Sequence, residues 1–246
     1  MSGAPQSEAG LDADLARAFE RSWPAAETRD SGAFRSGRGL GAGGRVSSTL
    51  ALRPDWDAGD IPAAEAAHRD WGQRPMFRVP DSDARLADSL RSLGYAPETP
   101  TAIMAADCAA LGGAVPAMTT FAIWPPLAIQ SDLWAAGNVS APRQAVMERV
   151  DLPRTSLLAR LEDRAAGSAF VAVDGPVAMI HAIEVAPQFR RRGLAGWMIR
   201  AASAWAAEQG AKRLGLAVSR GNTGARAVYD RLGFQEIGGY SYWARD

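Results

Sequence analysis

The second half of this chain carries short apolar runs followed by a longer apolar period. The runs at 155–162, 168–173 and 177–185 predict three strands, and Asp174-Gly175 between the last two is a hairpin signal that makes them antiparallel. Leu194, Trp197, Met198, Ala201, Ala202 and Trp205 then recur at helical spacing and predict one long amphipathic helix, which Gly210 ends. A strand follows over 213–219 and a helix over 222–232. In that helix Ala225, Val228, Tyr229 and Leu232 share a face, Asn222 supplies the N-cap and Gly233 the stop. Strands resume after Phe234. Upstream, the pattern predicts a strand at 118–123 and helices at 125–136 and 141–150.

The first half is less regular. Leu11, Leu15, Phe19 and Trp23 fall four apart and predict a helix that Pro24 ends. Residues 25–54 are rich in Gly, Ser and Arg and hold two strands, near 32–38 and 46–52. Helices are expected at 61–71, opened by Asp60 and Pro62, and at 81–93, capped by Ser82 or Asp81 and stopped by Gly94. A strand at 76–79 lies between them. After Tyr95 the chain is expected to turn through Pro97 and Pro100 and form a strand at 101–104. The stretch 110–116 reads as a linker. The organisation that follows is disorder over 1–10, an α/β region over 11–108, a linker at 109–117, and a second domain over 118–246. The fold class is α/β with a mixed sheet.

Composition changes this picture little. Of 246 residues, 47% are apolar and 22% charged, with zero net charge. No global field favours nucleic acid or an anionic membrane, so neither is expected as a partner. The single cysteine, Cys108, excludes an intrachain disulfide and fits a reducing compartment, so a cytoplasmic location is expected. No apolar run is long enough to span a bilayer, and the first residues lack the basic and apolar regions of a signal peptide. Two histidines, His68 and His181, and one cysteine cannot assemble a four-ligand Cys/His zinc site, so no metal is expected.

Candidate chemistry concentrates at 182–208. Pro187 ends a strand, Arg190, Arg191 and Arg192 stack positive charge, and Gly193 and Ala195 leave backbone N–H groups uncovered where the helix begins. A helix start with unpaired N–H groups, a partial positive charge and adjacent arginines suits a phosphate or pyrophosphate. A second glycine-rich stretch, 37–45, lacks the Lys-Ser/Thr ending and strand-to-helix setting of a phosphate loop and reads as a hairpin loop. Cys108 reads as a small buried apolar residue.

Arg190-Arg-Arg-Gly-Leu-Ala195 resembles the Gln/Arg-x-x-Gly-x-Gly/Ala motif of the GNAT family of N-acetyltransferases, and Asn222, Ala225, Tyr229, Gly233 and Phe234 resemble the second half of that family's signature. The resemblance covers about 118–246. It implies the GNAT-type fold and an enzyme, an acyltransferase that moves acetyl from acetyl-CoA to a primary amine by direct attack in a ternary complex. Cofactor contacts would come from Ile183, Val185, Arg190, Arg191, Arg192, Gly193, Leu194, Ala195, Asn222 and Tyr229. The Val185 amide would polarise the acetyl carbonyl, and Tyr229 would act at the CoA sulfur. Glu184 is the candidate base if its face of the strand is the substrate side, with His181 next. The partner would be a small-molecule or peptide amine, and the protein a monomer or homodimer. A non-catalytic acyl-CoA-binding module is the rival.

The first half looks like a degenerate GNAT-like copy without the cofactor motif: Leu90-Arg-Ser-Leu-Gly-Tyr95 echoes Asp230-Arg-Leu-Gly-Phe234. It is expected to shape the substrate side or to pack as scaffold. Two aromatic stretches, 123–134 and 238–243, are the expected substrate-selecting segments and hint at a small or apolar amine; core packing of Trp124, Trp134 and Trp243 is the competing reading.

Overall fold

The computed structural model describes residues 11–245, so the expectation of disorder over 1–10 lies outside it. The first half runs α1 (Ala13–Arg21), β1 (Glu27–Ser31), β2 (Phe34–Arg38), β3 (Thr49–Ala51), α2 (Ile61–Asp70), β4 (Met76–Pro80), α3 (Ala84–Ser92) and β5 (Ala96–Asp107). The second runs β6 (Thr120–Ile123), α4 (Ala128–Ala136), α5 (Ala141–Arg149), β7 (Arg154–Leu161), β8 (Arg164–Asp174), β9 (Val177–Val185), α6 (Leu194–Glu208), β10 (Arg213–Ser219), α7 (Thr223–Arg231) and β11 (Gln235–Ala244). Together the strands form one 11-stranded mixed sheet in the order β1-β2-β3-β4-β11-β5-β10-β9-β8-β7-β6.

The two halves exchange their last strands. β5 leaves α3 and pairs antiparallel with β10, while β11 leaves α7 and pairs antiparallel with β4; β5 and β11 also pair with each other. Each crossing strand covers an edge the other half would expose. The pleat sorts side chains between two layers. Ala169, Val171 and Val173 of β8 pack toward α6, while Phe170 and Ala172 pack toward α4 and α5. On β5, Ala102, Met104 and Ala106 join the α6 layer, and Ile103 and Ala105 the α1 layer.

Several local expectations shift. The strand at 101–104 is the centre of the much longer β5. Pro97 and Pro100 do not turn the chain, because pairing with β10 stops at Thr101↔Ser219 and leaves that edge without a donor requirement. β1 is an additional strand, paired with β2 from Glu27↔Arg38 to Ser31↔Phe34. α3 begins later than expected, because the cap is Asp83, whose carboxylate accepts the Leu86 N–H at 3.0 Å. On α6 the buried stripe is Leu194, Met198, Ile199, Ala202, Ser203 and Ala206, and the large Trp197 and Trp205 sit half-buried at its flank. Small residues in the stripe let the helix approach the sheet closely. β10 spans 213–219 as expected, and Asn222 caps α7, accepting the Ala225 N–H at 3.1 Å.

Candidate active site

β9 and β10 start as parallel neighbours and then part. Their ladder holds only Arg213↔Val177, Leu214↔Ala178 and Gly215↔Met179. Beyond it lies a cavity of about 420 Å³, whose walls include Arg45, Arg143, His181, Glu184, Asn222 and Tyr229.

A bulge in β9 decides which side chains enter this cavity. Against β8 the register jumps from Ser168↔Glu184 to Phe170↔His181, so Ala182 and Ile183 together oppose Ala169. Ala182 takes φ +51°, and the Trp134 indole N–H holds its carbonyl at 2.8 Å. The extra residue reverses the alternation. Upstream, Ala178 and Ile180 face α6; downstream, Ile183 and Val185 face α6 instead. His181 and Glu184, which regular alternation would place on opposite faces, therefore share the face opposite α6 and line one cavity. Glu184 does face away from Ile183 and Val185, as the pleat requires.

Gly137, at the end of α4, makes room for the Glu184 carboxylate: a Cβ there would lie 2.5 Å from Glu184 Cδ. The Arg190 guanidinium donates to Glu184 Oε1 at 3.2 Å and to the Val185 carbonyl at 3.0 Å. The Ala186 N–H donates to Ala166 O of β8 at 2.9 Å. Alternation along the backbone then turns the N–H and C=O groups of Val185 and Ile183 to the opposite edge, toward the gap.

His181 is buried and fully engaged. An arginine only donates, so Nδ1 of His181 accepts from Arg45 at 3.4 Å, and Nε2–H donates to Ser22 Oγ at 2.9 Å. Burial pushes its pKa well below the ordinary value, and the Arg45 and Arg143 charges push it the same way. The imidazole is thus neutral, with both nitrogens occupied.

The arginine loop lies at the end of the gap. Arg190, Arg191, Arg192 and Gly193 are exposed, while Leu194 is buried and anchors α6. Arg192 pairs with Glu162, and Arg191 has no side-chain partner among the described residues. Gly193 is the N-cap at φ +90°, a left-handed conformation that glycine adopts without strain. No side chain caps this helix end, and the first amide to bond back is Trp197 N–H to Gly193 O at 3.1 Å. The preceding amides of the first turn stay available to an anion.

Tyr229 is buried in the α7 face and lines the cavity, packed against Phe234 at 5.8 Å between ring centroids. Burial pushes its pKa up to about 12. Burial alone raises it, with no hydrogen bond to the hydroxyl contributing. Of the residues singled out from the sequence, His181, Ile183, Glu184, Asn222 and Tyr229 line the cavity, while Val185 and the stretch from Arg190 to Ala195 lie outside its lining.

The remaining walls were missed. Arg45 ends the glycine-rich stretch that reads as a hairpin loop, and Asn138, Val139 and Arg143 come from α5 and its approach. An arginine closing a glycine-rich run was the one signal present. Trp134 and Trp243 are core, and Tyr240 and Tyr242 of β11 reach the cavity in their place. The walls are more charged than the aromatic segments suggest.

Residues 126–234 match the model of the acetyltransferase (GNAT) family. A mycothiol acetyltransferase from Clavibacter sepedonicus is 35% identical over 121 residues, 43% of this chain and 40% of that relative. The chain thus spans less than half of the curated relative it matches. A GCN5-related N-acetyltransferase from Kribbella flavida shares the fold with a TM-score of 0.67 at 16% identity, over 89% of each chain. A tandem GNAT protein from the clavulanic acid biosynthesis pathway superposes with a TM-score of 0.58 at 15% identity, over 80% of this chain and 74% of that one. Across residues 126–234, the chain thus resembles the GNAT acetyltransferase family.

Proposed function

We propose that the chain is an acetyl-CoA-dependent N-acetyltransferase that moves the acetyl group to a primary amine by direct attack in a ternary complex. The carrying observation is the cavity where β9 and β10 part. It is lined by Ile183 and Glu184 of β9 and by Tyr229 of α7. The pantetheine arm would pair with the backbone edge of β9 at Ile183 and Val185 as an added strand. The pyrophosphate would rest on the amides from Arg191 to Ala195, with Arg191 and Arg192 as counter-charges. Asn222 would hold the loop beside the pantetheine.

The amine nitrogen attacks the thioester carbon, the new C–N bond forms, and the C–S bond breaks. The Val185 N–H would polarise the carbonyl oxygen as charge develops there. Glu184 would take the proton the nitrogen sheds, directly or through a water. His181 is the weaker candidate, because both its nitrogens are engaged. Tyr229 stays protonated, since burial holds it near 12 while a free thiol loses its proton near about 8.5. It would donate a hydrogen bond to the departing sulfur rather than a whole proton. The mycothiol acetyltransferase relative supports acetyl transfer and leaves the acceptor open. The free, buried Cys108 fits a reducing compartment, the cytoplasm in this reading.

Calorimetric titration with acetyl-CoA should show one binding site, and an amine panel should show turnover. Absence of binding would remove the proposal, and binding without turnover on any amine would leave only a cofactor-binding module. Tyr229→Phe should keep the acetyl-CoA affinity and lose at least about tenfold in kcat; unchanged turnover would strip Tyr229 of its role.

A further inference from the structure

The end of the cavity away from α6 is cationic, and its charges lack anionic partners. The Arg45 guanidinium lies over the Phe19 ring, 3.7 Å from its centroid. It donates to the Phe19 carbonyl and, at 3.4 Å, to His181, and its buried Nε has no partner. Arg143 donates through one nitrogen, to the Asn138 carbonyl at 2.6 Å. Among the described residues neither arginine forms a salt bridge. Glu20, whose charge acts on Arg45, and Glu184, on the cavity wall, are committed elsewhere: Glu20 to Arg78 at 2.5 Å, and Glu184 to Arg190 at 3.2 Å. Burial pushes both guanidinium pKa values down, the behaviour of a charge held without a matched anion. On the same wall the phenols of Tyr240 and Tyr242 are hydrogen-bonded to each other at 3.2 Å, and burial pushes the pKa of Tyr242 well up, so Tyr242 supplies no negative charge.

An unmatched buried cation is costly, and a ligand anion relieves that cost with charge-assisted hydrogen bonds. We propose that the acceptor amine also carries an anionic group, a carboxylate or phosphate, seated on Arg45 and Arg143 while its amine meets Glu184. This inference rests on the acetyltransferase reading and adds the acceptor's class to it. A cavity of about 420 Å³, shared with the acyl end of the cofactor, suits a small amino acid or phosphorylated amine rather than a folded peptide.

The test uses matched pairs: the protein α-amino acids and their carboxamides, β-alanine and its amide, O-phosphoethanolamine and ethanolamine. Each is titrated calorimetrically into CoA-saturated protein and assayed for turnover with acetyl-CoA. At least one anionic member should bind and react at least about tenfold better than its neutral partner; which member does so separates carboxylate from phosphate. Arg143→Gln should bring that ratio close to one while leaving the acetyl-CoA affinity unchanged. Arg143→Lys should retain part of the preference. No anionic preference in binding, or a preference intact in Arg143→Gln, overturns the inference. A protein that fails to bind acetyl-CoA instead removes the underlying acetyltransferase reading, and the anion preference is still measured by direct binding.

Discussion

The two halves of the molecule repeat one order of elements and differ in one crossover. β1-β2-β3-α2-β4-α3-β5 matches β7-β8-β9-α6-β10-α7-β11: three antiparallel strands, a helix, a parallel strand, a second helix and a long last strand. Both second helices end on a glycine, Gly94 at φ +84° and Gly233 at φ +90°, followed by buried Tyr95 or Phe234. In the second half, the crossover from strand to helix carries Arg190, Arg191 and Arg192 and leaves α6 uncapped. In the first half the same crossover carries Asp55, Asp57 and Asp60. Asp57 accepts the Gly59 N–H at 2.7 Å, and the Asp60 carboxylate bonds the Ala33 N–H at 3.3 Å. Trp56, between the acids, is buried against Phe34 at 5.8 Å between centroids. A negative crossover repels a phosphate that a positive one attracts. Under the proposed function, one topology would serve as anion site or as scaffold, according to a few side chains in one loop.

The largest expected effect tests whether chemistry belongs to the second half alone. Glu184→Gln should lower kcat by about 10²–10⁴-fold, the range for a lost general base, with the acetyl-CoA affinity unchanged. Asp55→Asn, in the matching crossover of the first half, should leave kcat as it is. Gly137→Ala sharpens the result without touching a charge. A Cβ at Gly137 would lie 2.5 Å from Glu184 Cδ, and the backbone there, at φ −96° and ψ −133°, is one glycine adopts more readily than alanine, so the substitution both displaces the carboxylate and strains the end of α4. The variant's kcat should fall in the same direction as that of Glu184→Gln. A normal kcat in Gly137→Ala beside a crippled Glu184→Gln would mean that the carboxylate need not hold its present position.

A smaller effect tests the charge of the two crossovers. Arg191 has no protein partner to lose, so Arg191→Glu should weaken acetyl-CoA binding by about tenfold with the fold intact. Asp55→Arg should leave the stoichiometry at one, because Asp57 bonds the turn that leads into α2 and Pro62 removes one of that helix's first amides. A second site appearing in Asp55→Arg would show that loop charge alone separates the halves.

Much of this architecture was legible in local pattern. β10, α6 and α7 follow from apolar period and from Asn222, Gly210 and Gly233 acting as caps and stops. What stayed hidden depends on partners distant in sequence. The bulge at Ala182 has no sequence signature of its own; it exists because Trp134 of α4 holds that carbonyl, and it alone brings His181 and Glu184 to one face. The exchange of β5 and β11 is equally non-local, and it is why prolines that normally signal a turn lie inside a strand. Arg45 was hidden for the opposite reason: its glycine-rich surroundings predict a loop, and nothing local says that the loop folds over Phe19 into the cavity of the other half.

The smallest effect compares the buried histidines, one from each half. His68 accepts from the Gln73 amide through Nδ1 at 3.3 Å, so its Nε2–H donates to Thr49 Oγ1 at 2.8 Å, the same tautomer as His181. Burial lowers its pKa from 6.5 to about 4. A depressed histidine stays neutral in the folded protein, while the unfolded chain takes up a proton below about 6.5. The unfolded state then binds more protons, so stability rises with pH through this window and falls as pH drops from about 6.5 toward 4, by about 1.4 kcal/mol per pH unit for each such histidine. Asp12, lowered to about 2 by its hydrogen bond from Arg213, adds its own loss only below its ordinary value of 3.8, outside that window. Urea unfolding of the wild type and of His68→Gln at pH 6.5, 5.5 and 4.5 measures the slope, and a constant offset in the variant's stability does not affect it. The variant should lose about half of the slope and keep the part carried by His181. An unchanged slope would mean that His68 already takes up its proton in the folded state, and that the first half is less rigidly packed around it than the hydrogen bonds to Thr49 and Gln73 require.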